Sequence, residues 1–106
     1  MREARDSAAI FAALGDETRL RLVARLSGAG ALSITSLTTG TRMTRQAITK
    51  HLHMMQSAGL VRGTRHGRAC LWQLDQRRIR EARQYLDAIS KQWDDALGRL
   101  RKFVEE

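Results

Sequence analysis

The sequence predicts a mainly helical chain with one small two-stranded β-element. No proline is present among the 106 residues, so helices can run without interruption. Apolar residues recur at intervals of three and four over most of the chain, which is typical of helices that bury one face. Apolar and polar residues alternate only in a short stretch that ends at Leu74, which is typical of a strand. At this length the chain fits a single domain over residues 1–106.

Two helices are predicted at the start of the chain. The first covers residues 8–14 and ends at Gly15, a residue that tolerates left-handed backbone. Asp16 is suited to cap the second, because a carboxylate accepts hydrogen bonds from free backbone N–H groups. Its apolar face comprises Leu20, Val23, Ala24 and Leu26. Three cationic residues are expected to face solvent or phosphate: Arg19, Arg21 and Arg25. The run 27–30 then breaks the helix, and a short extended segment follows at Ala31 and Leu32.

Residues 33–58 are predicted to form two helices joined by a turn. Ser33 caps the short first helix, which directs Ile34 and Leu37 inward. The second helix begins after Thr44 and ends at Gly59. Its inward residues are Ala47, Ile48, Leu52 and Met55. This arrangement predicts a helix-turn-helix unit.

The outer face of the second helix has the chemistry that reads bases in the major groove of DNA. Arginine pairs with guanine through two hydrogen bonds and glutamine pairs with adenine, while threonine can contact a base or a thymine methyl group. The predicted base contacts are Thr44, Arg45, Gln46 and Thr49. One turn later, Lys50 and His53 are suited to phosphates or the groove wall.

Residues 60–74 are predicted to form a β-wing of two strands, 60–65 and 68–74, with a tight loop at His66 and Gly67. Cys70, Trp72 and Leu74 alternate onto the face expected to be buried. The loop carries three residues suited to DNA backbone or an adjacent groove: Arg65, His66 and Arg68. Helix-turn-helix and wing together predict a winged helix-turn-helix fold.

The last element is a long helix, predicted over residues 76–104. A strict three-four spacing keeps one apolar stripe aligned along it. The stripe comprises Ile79, Ala82, Leu86, Ile89, Trp93, Ala96, Leu100 and Phe103. Because this surface exceeds what a small core needs, we expect a homodimer whose interface includes Leu86, Ile89, Trp93 and Leu100.

Charge is distributed very unevenly along the chain, whose net charge is +8. Residues 18–74 contain nine Arg or Lys residues, all three histidines and no Asp or Glu. A surface of one sign attracts polyanions, of which nucleic acid is the commonest. Because the same window contains the helix-turn-helix pattern, the predicted partner is double-stranded DNA.

Three segments resemble the ArsR/SmtB family of bacterial repressors: 13–19 (ALGDETR), 43–52 (MTRQAITKHL) and 58–61 (AGLV). The similarity covers about Ala8 to Asp75, and its most specific part is the order and separation of the segments. The resemblance implies a homodimeric winged-helix repressor of transcription. It also implies that the first and last helices form the dimer interface, which adds Ile10 to the expected interface residues.

The chain departs from the metal-sensing members of that family. Those members carry a Cys-x-Cys pair where this chain has residues 34–39 (ITSLTT). Others have Asp, Glu and His ligands on the last helix, where this chain has Glu81, Asp87, Asp94 and Asp95 but no histidine beyond His66. Because zinc needs nitrogen or sulfur ligands, we predict no metal and no cofactor. The residues do not identify a small-molecule effector.

Other classes of function receive little support. No carboxylate lies in the basic window to orient a histidine or bind magnesium, so we predict no enzyme activity. No stretch is apolar enough to span a membrane and Met1–Ile10 lacks the hydrophobic core of a signal peptide, so a cytoplasmic protein is expected. Two alternatives stay open: a winged-helix module that binds an acidic protein partner, and a redox-responsive regulator that uses Cys70, the single cysteine.

Overall fold

The computed structural model describes residues 2–105, and the side chains of residues 5–105. Five helices and three strands follow in the order α1 (Arg2–Leu14), α2 (Glu17–Ala29), β1 (Ala31–Ser33), α3 (Ile34–Thr38), α4 (Arg45–Ser57), β2 (Val61–His66), β3 (Ala69–Leu74) and α5 (Gln76–Glu105). The predicted mainly helical fold with a small β-wing is confirmed. Helix α1 is longer than predicted, since it already includes residues 2–7.

Three helices begin at the caps that the sequence predicts. The Asp16 carboxylate accepts a hydrogen bond from the backbone N–H of Arg19 at 3.0 Å. The hydroxyl oxygens of Ser33 and Thr44 accept from backbone N–H groups three residues on, each at 3.1 Å. These bonds satisfy donors that the first turn of a helix leaves free. They therefore fix where α2, α3 and α4 start.

The sheet has one strand more than the predicted hairpin. Strands β2 and β3 pair antiparallel, with Arg65 opposite Cys70 and His66 opposite Ala69. On the other edge of β3, β1 pairs antiparallel with Leu32 opposite Trp72, so the strand order is β1-β3-β2. The expected extended segment at residues 31 and 32 is thus the third strand. It anchors the wing to the segment that leads into α3.

The core lies where α4 packs against the rest of the chain. Three α4 side chains, Ile48, Leu52 and Met55, are fully buried, as their helical spacing predicts. They pack in a cluster with Leu22, Leu26, Leu37, Leu60, Val61, Trp72 and Leu74. Because one side of α4 is fixed in this way, its opposite side must face outward.

Several predicted positions are corrected by the structure. Ile10, expected at a dimer interface, is only 2% exposed within its own protomer, so it contributes to the core and has almost no surface left for a partner. Met54, whose methionine side chain also suggests a core position, is 47% exposed because it lies one position before the buried Met55 and so on a different side of the helix. Arg19 and Arg25, expected to face solvent or phosphate, bond backbone carbonyl groups of their own chain.

The start of helix α5 is held against α1, whereas the rest of the helix is exposed. Near its start Arg78 bonds Asp6 of α1 at 3.1 Å, and this ion pair raises the pKa of the Arg78 guanidinium. Further along, the large apolar side chains that stay exposed are Leu86, Trp93, Leu97, Leu100, Phe103 and Val104. Such a surface is consistent with dimerisation. Within residues 2–105, the helices lack the combination of length and apolar content that crossing a bilayer requires.

Candidate nucleic-acid interface

The outer face of α4 forms an open, shallow groove. Its lining consists of Arg45, Gln46, Thr49, Lys50, His53, Met54 and Ser57. All but Met54 and Ser57 were predicted to contact DNA, and the structure brings these five together on one surface. No acidic side chain is part of this lining. The groove is therefore positive and rich in hydrogen-bond donors, as a DNA-binding surface requires.

Arg45 is held by the preceding helix of the helix-turn-helix unit. Its Nη1 atom donates a hydrogen bond to Oγ1 of Thr35 at 2.7 Å. The side chain is exposed, so this bond orients the guanidinium group at the surface without burying it. Arg45 thus lies at the junction of α3 and α4.

The capping residue Thr44 and Thr49 of α4 use part of their hydrogen-bonding capacity within the helix. Oγ1 of Thr44 accepts the capping bond from Ala47, and Oγ1 of Thr49 donates to the carbonyl oxygen of Arg45 at 2.7 Å. Because the Thr49 hydroxyl proton is engaged there, its methyl group and oxygen lone pairs remain for a ligand. A thymine methyl or a base donor suits that surface.

The tip of the wing carries the second set of predicted DNA contacts. Arg65, His66 and Arg68 are all exposed around Gly67, whose φ of 63° permits the tight turn. Arg68 also lines a depression that includes Thr35, Arg45 and Cys70. The structure thus brings the start of α4 and the tip of the wing to one edge of the molecule, although 23 positions separate Arg45 from Arg68 in the sequence.

A ring contact joins α4 to the wing. The His53 and Trp72 ring centroids are 6.0 Å apart at an interplanar angle of 54°, a tilted aromatic arrangement. Trp72 is buried, whereas His53 is exposed. His53 thus combines the predicted position at the groove wall with a structural contact.

Arg19 has a structural role that sequence reasoning missed. Nε of Arg19 donates to the carbonyl oxygen of Ala13 at 2.6 Å, and its Nη1 lies 3.5 Å from Nδ1 of His51. Arg19 therefore links the α1–α2 corner to α4, where His51 lies half-buried beside the guanidinium group. The pKa of Asp16 is lowered, first by the hydrogen bond from the Arg19 backbone and then by the charges of Arg19 and His51.

The histidines and carboxylates do not assemble into a metal centre within the described part of the chain. Between residues 5 and 105, no group of three or more His, Cys, Asp or Glu side chains is close enough to hold an ion. Cys70, half-buried in β3, is a free thiol.

Fold and surface together define the class of protein: a winged helix-turn-helix with a cationic, acid-free face on its second helix. Comparison with known proteins supports this class. A helix-turn-helix domain family matches residues 14–64. An uncharacterised HTH-type transcriptional regulator of Bacillus subtilis strain 168, YuzN, is 42% identical over 66 residues, which span 57% of this chain and 72% of that protein.

Two further relatives carry an ArsR name. The arsenic resistance transcriptional regulator ArsR1 of Pseudomonas putida KT2440 is 29% identical over 96 residues, which span 91% of this chain and 72% of that protein. The solved structure of an ArsR-like transcriptional regulator from Rhodococcus sp. RHA1 superposes with a TM-score of 0.86 at 32% identity, over 97% of this chain and 96% of that one. The chain belongs to the ArsR family of winged helix-turn-helix, DNA-binding transcriptional regulators. This family is not enzymatic.

Proposed function

We propose that the chain is a homodimeric repressor that binds an inverted-repeat operator in the cytoplasm. The observation that carries the proposal is the acid-free face of α4 beside the cationic tip of the wing. In the proposed complex, α4 enters the major groove and reads bases through Thr44, Arg45, Gln46 and Thr49. Backbone or groove-wall contacts come from Lys50, His53, Arg65, His66 and Arg68. Repression follows where the operator overlaps a promoter.

The exposed stripe of α5 supports the dimeric part of the proposal. Trp93 and Leu100 are 65% and 57% exposed, and side chains of this kind seldom lie together in water without a partner. Leu86 and Ile89 extend the proposed interface towards the start of α5. Ile10 lies in the core of its own protomer, so it supports the interface only indirectly. A two-fold dimer presents two copies of α4 about 34 Å apart, one turn of DNA, which is the spacing that an inverted repeat demands.

We also propose that regulation is independent of metal. Arsenite and antimonite bind best where several thiolates converge, since soft ions prefer sulfur. This chain has one cysteine, Cys70, and no histidine after His66. The aspartates of α5 supply oxygen ligands alone, which suit zinc poorly.

The proposal is tested by footprinting the purified protein on DNA upstream of its own gene. Wild type should protect a two-fold symmetric site. Arg45→Ala should lose that protection, because Arg45 lies on the reading face of α4. Arg83→Ala is the matched control, since it removes an exposed arginine from α5 and leaves the groove intact. Equal protection by wild type and Arg45→Ala would contradict groove reading and favour an acidic protein partner.

A further inference from the structure

A second depression lies apart from the DNA-binding groove, between α2 and the turn that joins α3 to α4. Its volume is about 630 Å³, within the range of small-molecule sites. Five of its lining residues belong to α2, four to the turn and one to α4: Thr18, Arg21, Leu22, Ala24, Arg25, Gly40, Thr41, Arg42, Met43 and Ile48. Hereafter it is called the α2–turn cavity.

Three guanidinium groups give the α2–turn cavity a positive rim, and no carboxylate is part of its lining. Arg21 pairs with Glu17 at 2.6 Å on the exposed outer surface. Arg25 donates to the carbonyl oxygens of Ser36 and Leu37. Arg42 is exposed and, among the side chains of residues 5–105, has no ion-pair or hydrogen-bond partner. Its charge is therefore available to a ligand.

The floor of the α2–turn cavity is apolar. The partly exposed Met43 and the exposed Ala24 supply it, whereas Leu22 and Ile48 are core residues that lie behind it. A site that joins a cationic rim to an apolar floor matches an amphipathic anion, since the charged end and the hydrocarbon body each find complementary surface. We propose that the α2–turn cavity binds a small organic anion, a carboxylate or sulfonate with an apolar body.

A DNA phosphate fits this cavity less well. A phosphate of the duplex needs only the cationic rim, because its neighbours along the strand are sugars and further phosphates. The apolar floor would then stay in contact with water. A free organic anion covers both surfaces, which is why the geometry favours it.

Occupation of the α2–turn cavity acts on DNA binding, an effect that rests on the proposed function. The ligand contacts the turn at Gly40–Met43, which leads directly into the start of α4. It also neutralises Arg42, which lies next to that face. Both effects weaken DNA binding, and by linkage DNA weakens ligand binding by the same factor.

Calorimetry with sodium octanoate tests the site directly on the full chain without DNA. Octanoate should bind wild type, whereas octanamide, its uncharged analogue, should not. Arg42→Gln should raise the octanoate Kd about tenfold, because it removes a charge-assisted bond. Ala24→Leu, which narrows the cavity from the exposed side of α2, should also weaken binding. Arg83→Gln, which removes an equal charge from α5, should leave the Kd unchanged.

Two results would overturn the proposal. Equal octanoate affinity in wild type, Arg42→Gln and Ala24→Leu would place the anion elsewhere, for example on the α5 stripe. Absence of octanoate binding together with loss of DNA affinity in Arg42→Gln would make the cavity a DNA phosphate site.

The regulatory effect is measured separately, as octanoate inhibition of wild-type DNA binding that Arg42→Gln resists. A DNA affinity unchanged by saturating octanoate would overturn this regulatory effect. If wild type binds no DNA at all, the proposed function fails, while the calorimetric result still decides whether the cavity binds anions.

Discussion

Gly63 lies at a tightly packed position of the wing. It pairs with Trp72 across β2 and β3, and a Cβ atom there would lie 3.1 Å from Sγ of Cys70 and 3.2 Å from two ring carbons of Trp72. Trp72 is 5% exposed and cannot move aside freely. The absent side chain therefore leaves room for the side chains of Cys70 and Trp72 on the paired strand.

Replacing Gly63 with alanine should destabilise the protein by about 1–2 kcal/mol, because overpacking displaces a rigid ring. Urea unfolding followed by tryptophan fluorescence measures the loss. Gly28→Ala is the control, since nothing lies within 4 Å of its Cβ position and α2 should gain about 0.5–1 kcal/mol. A neutral Gly63→Ala would show that the wing has room for a methyl group.

The Asp16 cap predicts a specific dependence of stability on pH. The hydrogen bond from Arg19 lowers the pKa of Asp16 below its ordinary value of 3.8, so the ionised carboxylate stabilises the folded state. A lowered pKa means that this stabilisation is present above the ordinary value and is lost as pH falls through the lowered one. Asp16→Asn keeps an acceptor oxygen but cannot titrate.

Wild type should therefore be more stable than Asp16→Asn at pH about 7, and the difference should shrink towards about pH 3. Unfolding in urea at fixed protein concentration measures the free-energy difference at each pH. A gap that stays constant with pH would mean that the Asp16 charge contributes nothing.

Among the elements, α5 is the one whose function depends most on what lies outside the protomer. Its start is tied to α1 by Arg78, whereas its far half has apolar side chains with no protomer surface to cover them. Helical spacing predicted the stripe, since residues that recur every three or four positions share one side of a helix. Helical spacing alone could not show which part of the stripe packs on α1 and which part stays exposed.

A charge placed on the exposed stripe should separate the proposed dimer. Leu100→Glu should sediment as a monomer where wild type sediments as a dimer, because a carboxylate cannot be buried there without a partner. Lys102→Gln changes net charge by the same amount on the opposite side of α5 and should remain dimeric. Two sedimentation profiles that coincide for wild type and Leu100→Glu would exclude this interface.

For the whole molecule, the separation of charge between the basic window and the terminal helices has a measurable consequence. Binding to phosphates releases counterions, so affinity for DNA should fall steeply with salt. Arg68→Gln should reduce the slope of log K against log salt by about 0.9 for each protomer, because one phosphate contact is lost. Gln46→Ala should weaken binding to the operator without changing the slope, since Gln46 is proposed to contact a base.

Fluorescence anisotropy at several salt concentrations gives both slopes, with Arg83→Gln as the control for a lost charge outside the interface. If Arg68→Gln leaves the slope unaltered, the tip of the wing does not contact phosphate.

Much of the architecture could be predicted because it is encoded locally. Caps at Asp16, Ser33 and Thr44, the inward spacing of α4 and the alternation in β3 each depend on residues a few positions apart. Errors came where the outcome depends on distant parts of the chain. Arg25 was expected to be free, yet it bonds carbonyl groups of α3 that lie eleven and twelve residues away.

The candidate site, like the fold, could be predicted from the sequence only in part. The residues on the face of α4 follow from helical periodicity, and the structure places all of them on one surface. Sequence spacing does not show that Thr35 orients Arg45, or that Arg68 approaches Arg45 from the wing. Contacts between elements depend on how those elements pack.

By itself the sequence determined the helices, the hairpin, the basic face of α4 and the apolar stripe of α5, because periodicity, capping and charge act over a few residues. Only the tertiary structure decided that β1 joins the sheet, that Ile10 belongs to the core and that α2 and the turn enclose a cationic cavity. The physical reason is that these features arise from packing between segments far apart in the chain, where shape and burial select one arrangement among many with the same local pattern.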